Sequence, residues 1–166
     1  MSREVRRVPA DWQHPKTFRG GHKPLHEGDE FASRLKEWEE GCAAWNRGEF
    51  PKYASEKNRQ GTYEEWAGPE PLQEHYMPAW SEEEKTHYQM YETTSEGTPI
   101  SPVMETPEEL ARWLADNNAS TFANYTTDYE TWLKMITGSG SSVGTFCVTD
   151  QGDVLSGVEV AAAEND

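Results

Sequence analysis

The sequence predicts an α+β protein: a small antiparallel sheet from two hairpins packed against three or four short helices, with an irregular N-terminal arm. Three observations predict it. Four Ser/Thr-x-x-Glu pairs, Thr62/Glu65, Ser81/Glu84, Thr106/Glu109 and Thr127/Glu130, mark helix starts, because the hydroxyl and the carboxylate each satisfy an orphan amide. Two stretches rich in Tyr, Thr or Val are broken by Gly- or Asp-containing turns, which is hairpin patterning. Residues 1–28 hold Pro9, Pro15, Pro24, Gly20, Gly21 and Gly28 without sustained periodicity, and read as an extended arm. The expected organisation is a basic arm over 1–28, a single α+β domain over 29–161, and a frayed tail at 162–166.

The first helix is expected over 29–47. Phe31, Leu35, Trp38, Cys42 and Trp45 recur at helical spacing, Asp29 is placed to cap, and Gly48 to stop. Gly41 weakens this helix by about 1 kcal/mol relative to Ala, so its tryptophans must be packed to hold it. A Pro- and Gly-rich loop region follows to Trp80, interrupted by one helical turn at the Thr62/Glu65 pair. Residues 86–94 read as a strand, 95–98 as a turn, and 99–103 as a Pro-flanked edge strand. Helices are expected over 108–116, with Leu110, Trp113 and Leu114 on one face, and 128–136, with Tyr129, Trp132, Leu133 and Ile136. Pro107 suits the first helical position. A Gly/Ser linker at 138–142 leads to strands over 143–149 and 154–161, the second hairpin, expected in the same sheet as the first.

Leu, Ile, Val and Phe number only 22, a poverty that with net charge −15 is typical of disorder. Seven Trp and seven Tyr argue for a folded, tryptophan-rich body instead, because each buried ring removes roughly 150–250 Å² from water. No apolar run approaches the roughly 18 residues of a membrane span, and no apolar stretch follows the N-terminal charges, so a soluble, unsecreted protein is expected. Cys42 and Cys147 are expected as free buried thiols in a reducing cytosol.

The block 88–103, YQMYETTSEGTPISPV, followed by ETPEELARWL at 105–114, resembles a motif block of small acidic proteins encoded by tailed phages and prophages. The opening REVRRVP at 3–9, with Trp12, His14 and Pro15, is similar to the start of the same proteins. The resemblance carries no functional residue across. It implies an accessory phage gene expressed in a bacterial cytoplasm.

Catalytic and cofactor chemistries find little support, and neither a catalytic residue nor a cofactor is expected. Of the five histidines only His22 and His26 approach a ligand spacing, and Pro24 between them forbids the helix that would align their rings, so no metal is expected. His87, Ser95 and Glu96 make a weak constellation at an ordinary polar turn. The Gly138–Gly144 stretch lacks the lysine of a phosphate-binding loop and follows a helix instead of a strand. A ligand pocket for a cationic or neutral metabolite, lined by Tyr88, Tyr91, Trp113 and Glu92, is the alternative to a binding role, and a virion assembly factor is a third.

Charge is the strongest functional signal. Residues 60–166 hold 20 Asp and Glu against Lys85, Arg112 and Lys134, whereas residues 1–27 hold six Lys and Arg against three acids. Such a field repels nucleic acid and attracts basic partners. The leading expectation is a non-enzymatic binding protein that engages a host or phage protein with a basic surface. Glu64, Glu65, Glu70, Glu74, Glu82, Glu83, Glu84, Glu105, Glu108, Glu109 and Asp116 would stand in for phosphates, as in an inhibitor of CRISPR or restriction complexes, with Trp66 and Trp80 as aromatic contacts. Neither direct nucleic-acid binding nor membrane binding is expected. The basic arm is expected to fold onto the acidic body.

Overall fold

The computed structural model describes residues 3–93, 97–122, 125–138, 146–148 and 154–156. The α+β class holds: among the described residues four α-helices accompany small antiparallel sheets. The chain forms two compact units, Met1–Pro24 with Trp80–Asp166, and Leu25–Ala79, where the sequence suggested one domain after an arm.

In the first unit the central strand is β2 (His87–Glu92), between β1 (Arg3–Val8) and the short β3 (Thr98–Pro99), all antiparallel. Residues 3–8 are thus a sheet strand, which corrects the reading of 1–28 as an arm. Register pairs Val5 with Met90 and Arg6 with Gln89, so alternation sends Tyr88 and Met90 to one face and Gln89 and Tyr91 to the other. Against the Met90 face pack α3 (Pro107–Asp116) and α4 (Tyr129–Gly138), which bury Leu110, Ala111, Leu114, Trp132, Met135 and Ile136 in one apolar cluster.

The edge strand is shorter than its sequence suggested. Pro99 and Pro102 have no N–H for a ladder, and pairing lapses after Pro99 until the isolated Tyr88–Met104 bridge. Ser101 closes the gap: its Oγ accepts the Met90 amide (2.9 Å), and its carbonyl accepts from Gln89 Nε2 (2.8 Å).

The caps follow the sequence in part. Thr106 Oγ1 accepts the Glu109 amide (3.1 Å) with Pro107 at the first helical position, but Glu109 Oε2 accepts from Glu105 instead of Thr106. At α4 the cap moves by one residue, because Asp128 Oδ1 accepts the Thr131 amide (2.9 Å), and that bond holds the Asp128 carboxyl below its usual range. Ser81 and Glu84 close only a turn, since β2 begins too soon afterwards for a helix. A small unexpected sheet, β4 (Ser120–Phe122) with β5 (Tyr125–Thr126), separates α3 from α4. The C-terminal strands β6 (Phe146–Val148) and β7 (Val154–Ser156) pair as expected but, among the described residues, as a separate two-stranded sheet instead of an extension of the first.

The second unit is held by rings. Its helix α1 (Phe31–Asn46) starts after a short 3-10 turn (Gly28–Glu30), and Asp29 does not cap it. The short α2 (Tyr63–Ala67) opens on a complete capping box between Thr62 and Glu65. Trp45 is buried with its Nε1 donating to the Gly61 carbonyl (3.0 Å), while half-buried Trp38 donates to Gly68 (3.0 Å). Tyr63 fits between Trp38, Trp45 and Trp66, with ring centroids 5.6–5.8 Å apart.

Gly41 is there for that tyrosine. A Cβ at Gly41 would overlap the Tyr63 hydroxyl and ring, so Tyr63 would have to shift from its contacts with three indoles. Propensity alone makes Gly41→Ala stabilising by about 1 kcal/mol. The overlap reverses that sign, so the variant should unfold at a lower denaturant midpoint than the natural chain. A higher midpoint would show that Tyr63 does not pack there.

Candidate functional site

The face of β2 opposite the apolar cluster carries the main concentration of buried polar groups. Residues 9–24 run across it, and a small hairpin within them is closed by the antiparallel Lys16–His22 bridge and by Thr17 N–H donating to the Gly21 carbonyl (2.7 Å). Gly20 turns the hairpin at φ +85°, and at its tip Phe18 is 94% exposed with the Arg19 guanidinium over its ring.

Tyr91 is fully buried, and its hydroxyl is a shared node. Trp12 Nε1 donates to it at 3.1 Å, it donates to Gln89 Oε1 at 2.9 Å, and His14 Nδ1 lies 3.1 Å away. The other imidazole nitrogen, Nε2, donates to the Lys23 carbonyl (2.6 Å). Burial, chiefly, pushes His14 below its ordinary pKa, the Lys23 hydrogen bond resists, and the neighbouring charges of His22 and Arg6 add to the depression. His14 is therefore neutral at neutral pH, and the single phenolic proton serves both Gln89 and Nδ1. The Arg6 guanidinium sits 4.4 Å from the Tyr91 ring centroid and pairs with Glu4 (3.0 Å).

Beside this node lies an open cleft of ≈ 840 Å³. Gln13–Lys16 and His22 form one wall, and Gln89 with Pro99–Pro102 forms the other. Trp113 of α3 completes it. Of the four residues suggested for a pocket, only Trp113 lines this cleft. Tyr91 points its hydroxyl into the buried node, and Tyr88 lies on the opposite face, bridged to Met104. The described lining includes Lys16, His14 and His22 and no carboxylate, which does not suit the cationic one of the cationic or neutral ligands considered from the sequence. A smaller groove of ≈ 430 Å³ beside α3 takes in Glu108, Glu109 and Asp116 together with Arg112, whose guanidinium lies 4.1 Å from the Tyr129 ring centroid.

The acidic residues singled out from the sequence all face solvent. In the Leu25–Ala79 unit these are Glu64, Glu65, Glu70 and Glu74. In the other unit they are Glu82, Glu83, Glu84, Glu105, Glu108, Glu109 and Asp116. Glu82 pairs with Arg7 (3.1 Å) and Lys85 (2.6 Å), and Glu74 lies 3.6 Å from His75. None of the other nine has a described side-chain cation within ion-pair distance. Hydrogen bonds from the Ser81 amide and hydroxyl hold the Glu84 carboxyl below its usual range. Trp66 and Trp80 are half-buried, Trp66 stacked on Trp45 (5.2 Å) and Trp80 edge-on to Trp12 (4.7 Å).

The remaining candidates divide simply. Among the described residues no His, Cys, Asp and Glu gather as a metal site. Cys42 is a half-buried free thiol on α1. Ser95 and Glu96, the Gly/Ser segment after Gly138 and the side chain of Cys147 lie outside the described residues. No described helix is long and apolar enough to cross a membrane. No protein family, curated protein or solved structure matches this chain.

The node makes a titration prediction. Burial pushes the Tyr91 phenol up to about 12, against the hydrogen bond from Trp12 and the charge of Arg6. An unfolded tyrosine ionises near pH 10, so the folded state holds this proton more tightly. The resulting stabilisation is complete below about pH 10 and lost as pH rises through about 12. The phenolate absorbance assigned to Tyr91, by difference from Tyr91→Phe, should appear only toward the top of that window. Ionisation near pH 10 in the folded protein would mean that the hydroxyl is not buried.

Proposed function

We propose that the protein is a non-catalytic binding protein whose acidic surface engages a partner protein with a basic surface. The observation that carries this reading is the exposure of all eleven carboxylates, of which only Glu82 has a described Lys or Arg within ion-pair distance. Charges left unpaired in this way raise the field seen by an approaching protein and contribute little to folding stability. Exposed carboxylates are also the groups needed to displace nucleic acid from a basic groove, where each phosphate contact is an ionic one. The setting that fits is a bacterial host's cytoplasm, with the chain as an accessory phage product acting on a CRISPR, restriction or related nucleic-acid-handling complex. That setting rests on the resemblance noted at residues 3–9 and 88–114 of the sequence.

Affinity capture from bacterial lysate tests the reading when run beside a Glu105→Lys, Glu108→Lys, Asp116→Lys variant. These three carboxylates have no described cation partner, so the variant should keep its thermal stability. A retained partner should be released by salt well above physiological strength, where screening falls below about 8 Å, and by added duplex DNA. The variant should retain it poorly. Retention that ignores salt, DNA and the reversal alike would contradict the proposal.

A further inference from the structure

We propose that the cleft between Gln13–Lys16 and Pro99–Pro102 is a binding site for a small organic anion with a flat apolar body, an aromatic or heteroaromatic acid. Its charge is the first argument. In a chain with twice as many acids as bases, this cleft has the Lys16 ammonium on its wall, beside the rings of His14 and His22, and no acid among its described lining residues. The sequence led us to expect the N-terminal cations to be neutralised by the acidic body. Arg7 is, through Glu82, whereas Arg6 is paired within the N-terminal segment by Glu4. Lys16, Arg19 and Lys23, all on the small hairpin, have no described carboxylate within ion-pair distance. A cation beside a concave wall without its own counterion favours a ligand that brings one.

The second argument is which lining groups are free to act. Gln89, Ser101 and His14 are buried and committed to one another, to Tyr91 and to backbone carbonyls, so they form a fixed wall. The groups left to contact a ligand are the Lys16 ammonium, the His22 ring and the Gln13 amide, on one side only. The other side offers Trp113, Ile100 and two prolines of fixed φ, a preformed apolar surface against which a planar body stacks. A polar, cationic edge facing an apolar one matches a ligand with a charged head and a ring. The volume of ≈ 840 Å³ falls within the range of small-molecule sites. The net negative field of the chain opposes the anion at long range, but that field is screened beyond about 8 Å while contact with Lys16 is not. The acidic surface plays no part in this site.

Titration of the full chain with benzoate, benzylamine and inorganic phosphate, followed by two-dimensional NMR, tests the assignment. Benzoate should shift the Trp113 indole N–H and the amides of Lys16 and His22 saturably, and benzylamine should not. Lys16→Glu should weaken benzoate about tenfold or more, the scale of losing one charge-assisted contact, with an unchanged thermal midpoint because Lys16 is exposed. Phosphate should bind more weakly than benzoate, having no ring to place on Trp113. Benzylamine binding as tightly as benzoate, benzoate binding that ignores Lys16→Glu, or shifts confined to other residues would overturn the site. Phosphate matching benzoate would overturn the aromatic part of the assignment.

Discussion

One buried oxygen, the Tyr91 hydroxyl, ties the N-terminal segment to the sheet. Trp12 and His14 reach it from a part of the chain about 80 residues away, and Gln89 reaches it from its own strand. Tyr91, His14 and Gln89 are buried and Trp12 is half-buried, so removing one partner leaves a buried polar group unsatisfied, at a cost of about 1–3 kcal/mol. That asymmetry fixes residues 9–24 in one place. It also fixes Gln89, whose amide reaches on to Ser101 and sets the far wall of the cleft. The strand β2 thus has two different faces, an apolar one that holds α3 and α4 and a polar one that positions the N-terminal hairpin.

The Leu25–Ala79 unit solves another problem, that of a chain poor in aliphatic residues. Its buried apolar residues are Leu25, Trp45, Ala54 and Met77, too few for an aliphatic core. Stacked and edge-on rings take that place, from Trp38, Trp45, Phe50, Tyr63 and Trp66. Indole N–H groups inside such a core need acceptors, and the carbonyls of Gly61 and Gly68 in the loops supply them. Gly28 serves the same unit at its other end, where a Cβ would meet the carbonyls of Met77 and Pro78.

What the sequence revealed was periodic and local. The helices α1, α3 and α4 were legible because Leu35 and Trp38, Leu110 and Leu114, and Trp132 and Ile136 repeat at helical spacing, and Thr62 and Thr106 announce the caps of α2 and α3. The strand β1 was hidden because Arg3 and Arg6 are buried in it, Arg3 through two hydrogen bonds to Ser120 and Arg6 against Tyr91, so REVRRV shows no apolar alternation. Gly41 was legible as a weak point but not as a contact, since propensity carries no knowledge of Tyr63. The polar node and the cleft were not legible at all. Their partners are far apart in sequence, and of the cleft only Trp113 was picked out, among tyrosines that face elsewhere.

The cleft, with Lys16 on its wall, depends on the N-terminal hairpin being held at the sheet by the node. The most direct test is the ring titration of His14 by heteronuclear NMR in the intact protein. The account predicts a neutral imidazole with its proton on Nε2, directed to the Lys23 carbonyl, and a midpoint displaced below the ordinary histidine value by burial. An imidazole that titrates at the ordinary value of about 6.5 and exchanges freely between tautomers would contradict it, because residues 9–24 would then not be docked on β2.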